Sequence, residues 1–124
     1  EFIMRKWQPP NLYEWRFQWR GIGEGAPGWF YWNPHTKGGW VAIDMKGPLS
    51  PGEWHMLELD GRIKKSEVFY ENVTLDGARY PIGVAVPPMK VGREEDRMAI
   101  GVQLDGNGMA DAYDVVVDKV AFEN

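Results

Sequence analysis

Aromatic and polar residues alternate strictly along residues 13–20, with aromatic side chains at the odd positions and charged or amide side chains at the even ones. Successive side chains of a β-strand point to opposite faces of its sheet, so a period of two predicts a strand with one buried and one solvated face. We therefore expect Tyr13, Trp15, Phe17 and Trp19 to lie in the core.

Short segments of strand-like sequence, separated by turn residues, follow along the rest of the chain. The predicted strands and apolar runs cover residues 29–32, 40–45, 53–59, 68–75, 82–86, 97–104 and 113–122. No window of a dozen residues has sustained helical spacing. The pattern predicts one all-β domain over residues 1–124, either an antiparallel, jelly-roll-like β-sandwich or a small β-barrel.

Composition adds an excess of indoles to this pattern, with seven tryptophans in 124 residues. A chain of this size buries few such rings, and surplus ones are typical of a surface that binds a flat, apolar ligand face. Sugars and nucleobases both offer such faces. The net charge is −4 and the basic residues are scattered, unlike the basic stripe of a nucleic-acid-binding protein. We therefore expect a polysaccharide or oligosaccharide partner and no nucleic acid.

Four consecutive aromatic residues at 29–32 cannot share one face of a strand. Trp29 and Tyr31 lie on one face, and Trp32 lies with Phe30 on the other. If the turn-rich residues 33–39 form a hairpin, Trp32 and Trp40 meet at its base and can hold successive sugar rings. The alternative is that these indoles pack beneath residues 21–28. The candidate ligand-binding residues are Trp29, Tyr31, Trp32, Asn33, His35 and Trp40.

Motifs for catalysis are scarce, because the chain has no cysteine, two histidines and no Gly-x-Ser-x-Gly sequence. Paired carboxylates remain open, since their pairing is spatial. An enzyme therefore has the least support. No apolar run approaches the length of a membrane span, so no membrane partner is expected.

Carboxylates near the C-terminus suggest a metal site. Asp105 and Asn107 resemble the opening of a calcium loop, but Val116 stands where such a loop needs its glutamate, which favours an ordinary turn. Asp118 interrupts an apolar stretch, and an acid there needs a partner or a metal. Asp118 is thus the candidate metal ligand.

Residues 98–104 (MAIGVQL) and 112–122 (AYDVVVDKVAF) are joined by a glycine-rich loop. They resemble the closing hairpin of jelly-roll carbohydrate-binding modules and related galactose-binding-like domains, and the resemblance covers roughly residues 50–122. It implies a non-catalytic, carbohydrate-binding β-sandwich, with an acid such as Asp118 holding a structural calcium and no other cofactor. An extracellular location is favoured.

The resemblance also implies more N-terminal strands than this chain has room for. Only a dozen residues precede Tyr13. An unpaired sheet edge invites another chain, so a homodimer is expected. Two other functions fit the same pattern. A lipocalin-like barrel would hold an apolar small molecule inside, and a structural domain would bury its aromatics against a copy of itself.

Overall fold

The computed structural model describes residues 1–20, 28–45, 49–50, 52–93, 97–103 and 116–121. Within these ranges nine β-strands form two antiparallel sheets, and no residue is helical. Accordingly, this part of the chain contains no helix that could cross a membrane. The strands are β1 (Phe2–Gln8), β2 (Asn11–Arg20), β3 (Gly28–Trp32), β4 (Trp40–Ala42), β5 (Leu57–Lys64), β6 (Glu67–Leu75), β7 (Ala78–Val86), β8 (Met89–Lys90) and β9 (Met98–Val102).

The first sheet has the strand order β4-β3-β2-β1-β9, and the second has the order β5-β6-β7. Strand β2 is central to the first sheet and pairs along one edge with β1. Its other edge has two partners: β8 pairs with its start, at Leu12 and Met89, and β3 pairs with its end, at Phe17 and Tyr31. The two sheets pack face to face, so the predicted β-sandwich is confirmed.

The alternation along β2 decides which side chains enter the core. Tyr13, Trp15 and Phe17 are buried on the inner face of the first sheet, as the sequence predicts. Trp19 follows them by alternation but is only half-buried, near the end of the strand. From the second sheet come the buried side chains of Val68, Tyr70, Val73 and Val86.

Close packing between the sheets also fixes one glycine. A side chain at Gly61 on β5 would overlap the indole of Trp15. The Trp15 Nε1–H donates a hydrogen bond to the Phe69 carbonyl on β6, at 3.3 Å. The pairing of β5 with β6 shifts register between Asp60 and Gly61. The irregular pairing lies where the indole approaches the β5 backbone.

Three expectations need correction. The barrel alternative is wrong, because the described strands form two separate sheets with open edges. Strand β1 was not predicted, yet it lies between β2 and β9, so within the described residues β9 rather than the N-terminal strand is the edge on this side of the first sheet. Strand β5 begins at Leu57, and the predicted start at residue 53 lies in a loop.

The predicted closing strand at 113–122 is described only in part. Residues 116–121 are exposed and belong to no strand. Residues 113–115 and 122, like most of the glycine-rich loop before them, lie outside the described residues.

Candidate functional site

The residues between β3 and β4 form a tight hairpin connection. The Asn33 N–H donates to the Gly39 carbonyl, and the Thr36 N–H and Oγ1 both donate to the Asn33 carbonyl. The Asn33 side chain accepts the His35 N–H at 3.1 Å. Asn33 therefore holds the turn together with its own backbone and side chain, as asparagine commonly does in turns.

This hairpin brings Trp32 and Trp40 together, as the sequence predicts. The two residues are directly paired, and their ring centroids lie 5.1 Å apart with an interplanar angle of 66°. Tyr31 and Val41 point into the core, so Trp32 and Trp40 lie on the opposite, outer face of the first sheet. Both are half-buried. We call Trp32 and Trp40 the indole pair.

Two neighbours hold the Trp32 ring in place. The Arg16 guanidinium lies 5.6 Å from the ring centroid, an arrangement that favours a cation–π interaction. On another side, the backbone of Gly39 approaches the ring so closely that a side chain at Gly39 would overlap it. Gly39 also has a φ of +74°, which glycine adopts without strain.

Arg16 is in turn held by two carboxylates. Its Nη2 donates to Glu14 Oε2 at 3.1 Å, and its Nη1 donates to Glu1 Oε1 at 3.0 Å. The Nε atom lies 2.7 Å from Glu14 Oε1, close enough for an ion pair but poorly aligned for a hydrogen bond. Burial alone would lower the pKa of Arg16, but hydrogen bonds and charge from Glu14 and Glu1 outweigh it and raise the pKa. Arg16 is thus a fixed cation beside the indole pair.

His35 is exposed at the tip of the hairpin, and its Nε2 lies 3.0 Å from the Pro87 carbonyl. Because a carbonyl only accepts, Nε2 must carry the hydrogen, which leaves Nδ1 of a neutral ring as an acceptor. This bond ties the hairpin tip to the connection between β7 and β8.

Trp29 and Tyr31 do not join the indole pair. Trp29 is 2% exposed, and Tyr31 packs on Tyr70 with ring centroids 5.0 Å apart. Burial raises the pKa of Tyr31. Both rings are buried, and Tyr31 belongs to the core between the sheets, so neither ring presents its face to solvent.

Asp118 is exposed in the segment 116–121. Among the described residues no three His, Cys, Asp or Glu side chains come together in a way that could hold a metal ion. Asp105 and Asn107 lie outside those residues. The structural calcium at Asp118 therefore stays a prediction.

The sequence did not single out Arg16 and Glu14 as site residues. Their signal was present in the alternation along residues 13–20, which places every even position on the outer face. Arg20 lies on the same face of β2, four residues after Arg16. Its guanidinium is 4.4 Å from the Phe30 ring centroid. The outer face therefore carries alternating cationic and aromatic groups.

A scan against protein-family models and searches of curated proteins and of solved structures found no match for this chain. Its function has to be inferred from the side chains described above.

Proposed function

We propose that the protein is a non-catalytic module that binds a polysaccharide or oligosaccharide at the indole pair. The observation that carries this proposal is the placement of Trp32 and Trp40, 5.1 Å apart on the outer face of the first sheet and half-buried rather than enclosed. Indoles offer an apolar face for the C–H groups of a sugar ring.

The charged neighbours of the pair supply directional contacts. A guanidinium has five N–H donors. Contacts to Glu14 and Glu1 involve all three guanidinium nitrogens of Arg16, and Nη1 and Nη2 each keep one further N–H for a sugar hydroxyl. At the hairpin tip, His35 Nδ1 can accept a hydroxyl hydrogen. Apolar stacking combined with a few oriented polar groups is the usual composition of a small-ligand site.

The same geometry gives Glu14 a positioning role. Both oxygens of the buried Glu14 carboxylate contact Arg16. A carboxylate that meets a guanidinium through both oxygens fixes its orientation as well as its charge. Glu14 therefore serves to position Arg16.

Calorimetric titration with a soluble β-glucan, a xylan and a galactomannan tests the proposal. Stacking of a base on an aromatic side chain contributes about 1–3 kcal/mol, and a sugar ring should contribute a similar amount. We expect Trp40→Ala to weaken binding at least about five-fold, and Trp40→Phe to recover part of the loss.

Melting curves supply the control. Trp40→Ala should keep a melting temperature close to that of the wild type, because Trp40 is half-buried at the edge of the sheet. Unchanged affinity in a folded Trp40→Ala variant would rule out the indole pair as the binding site. A variant that loses stability instead would show that Trp40 is a packing residue.

A further inference from the structure

The most exposed indole of the described residues is far from the indole pair. Trp54 is 70% exposed and Met56 is 67% exposed, in the loop that leads into β5. His55, between them, is only half-buried and points back to the protein. Trp54 and Met56 thus present an apolar strip to solvent.

A set of hydrogen bonds around His55, the His55 clasp, fixes this loop. His55 Nδ1 lies 2.7 Å from Asp76 Oδ2, and Nε2 lies 3.1 Å from the Ser50 carbonyl. Both ring nitrogens face acceptors, so the clasp has all of its hydrogen bonds when both nitrogens carry hydrogens, as in an imidazolium ring. The other Asp76 oxygen accepts the Met56 N–H at 2.8 Å, and the Met56 carbonyl accepts the Asp76 N–H at 2.9 Å.

The clasp therefore holds the backbone on both sides of Trp54 while the indole stays in water. An exposed side chain on a fixed backbone is preorganised, because little further ordering is needed when a ligand binds. The loop that carries the indole is rich in acceptors: Glu53 precedes Trp54 in the chain, and the Asp76 carboxylate and the Ser50 carbonyl keep lone pairs beyond their hydrogen bonds in the clasp. Sugar hydroxyls are donors that match them.

We infer that Trp54 and Met56 form a second carbohydrate-binding site, which stacks one sugar ring on the indole and is positioned by the His55 clasp. It shares the ligand class of the proposed function but none of its residues. Asp76 lies in the turn after β6, whereas Pro87, which contacts His35, follows the far end of β7. The two sites therefore lie at opposite ends of the second sheet.

Charge argues against the main alternative, a membrane surface. Anionic lipid attracts basic segments, whereas Glu53 precedes Trp54 in the chain, Asp76 contacts the adjacent His55, and the chain has a net charge of −4. A neutral glycan meets no such repulsion.

Nuclear magnetic resonance of the indole N–H groups separates the two sites in one titration. Trp54→Phe assigns the Trp54 signal, and β-glucan, xylan and galactomannan hexasaccharides are the probes. We expect the Trp54 signal to shift saturably, and Trp54→Ala to weaken this binding at least about five-fold. Trp40→Ala is the matched control and should leave the Trp54 shift unchanged.

Each outcome decides between the sites. Movement of the Trp54 signal alone would support this inference and count against the indole pair. Movement of the Trp32 and Trp40 signals alone would overturn it while leaving the proposed function in place. No movement with any hexasaccharide would remove both. A Trp54 signal that responds to phosphatidylcholine vesicles but not to sugars would overturn it in favour of a lipid surface.

The positioning role of His55 has its own readout. The hydrogen bond to Asp76, the Ser50 carbonyl and the charges of Asp76 and Glu53 raise the pKa of His55 above 6.5, although burial opposes them. The clasp therefore has both ring hydrogen bonds below pH 6.5 and loses one of them as the pH rises through the raised pKa. We expect the affinity of the wild-type protein for a sugar at Trp54 to fall as the pH rises through the pKa of His55. The His55→Gln variant should bind the sugar more weakly than the wild type at pH 5.5, and its affinity should not fall as the pH rises. Identical pH profiles of affinity for the variant and the wild type would refute the positioning role.

Discussion

At the scale of single residues, Gly38 and Gly39 separate two effects of adding a side chain. Both have positive φ, at +81° and +74°. An added methyl group would meet nothing within contact distance at Gly38, whereas at Gly39 it would overlap the Trp32 ring. The pair of glycines thus forms a matched comparison within one turn.

We expect Gly38→Ala to destabilise the protein by about 1–2 kcal/mol, the cost of a left-handed backbone for a residue with a Cβ atom. Gly39→Ala should cost more, because the indole has to move as well, and it should also weaken glycan binding. Urea unfolding and the near-ultraviolet circular dichroism of tryptophan measure the two effects. Equal losses in both variants would show that Gly39 does not support Trp32.

At the scale of elements, the divided edge of β2 depends on a side chain from the other sheet. Between the segments paired with β8 and β3, the Arg16 N–H donates to the buried hydroxyl of Tyr70 at 3.1 Å. That hydroxyl faces the carbonyls of Trp32, at 2.9 Å, and Glu14, at 3.3 Å. Burial raises the pKa of Tyr70, which keeps the hydroxyl protonated as the donor. Tyr70 thus replaces a missing stretch of strand.

Tyr70→Phe should therefore destabilise the protein by about 1–3 kcal/mol, because it leaves buried backbone groups without a partner. Tyr80→Phe, on the neighbouring strand β7, is the control and should change the free energy of unfolding by much less. Chemical denaturation measures both. Similar free energies for the two variants would contradict the bridging role of Tyr70.

The sequence correctly predicted strands in which apolar and polar residues alternate regularly. Residues 13–20 of β2 direct aromatic side chains to one face and charged or amide side chains to the other, so the alternation in their sequence is strict. Strand β1 was missed because its apolar residues, such as Ile3 and Met4, lie on both faces and its strand state depends on β2 and β9 on either side. The clasp could not be predicted, since His55 and Asp76 are 21 residues apart and meet only through the pairing of β5 with β6.

At the scale of the whole molecule, the described part of the first sheet ends at β9. Within the described residues β9 pairs only with β1, and Met98, Ile100 and Val102 are exposed, although Met4, the partner of Ile100, packs against the core. An open strand edge with apolar side chains favours pairing with another chain.

We therefore expect a homodimer formed through β9. Light scattering should give twice the monomer mass of 14.2 kDa, and Ile100→Lys should give the monomer, because a charge would be buried in the interface. Val84→Ala, in the core of the second sheet, is the control and should not change the mass. A wild-type mass of 14.2 kDa at high concentration would refute the dimer.

The pairing of β1 and β2 with strands from the last third of the chain has a consequence for biosynthesis. Strand β2 can pair with β8 only after residue 90 has been synthesised, and β1 can pair with β9 only after residue 102 has been synthesised. On a ribosome, β1, β2 and β3 would be able to pair with one another before β8 and β9 had been made. Sheets that rely on such distant pairings fold slowly. We therefore expect the first sheet to stay incomplete, with part of its aromatic segment unprotected, until residue 102 has been synthesised.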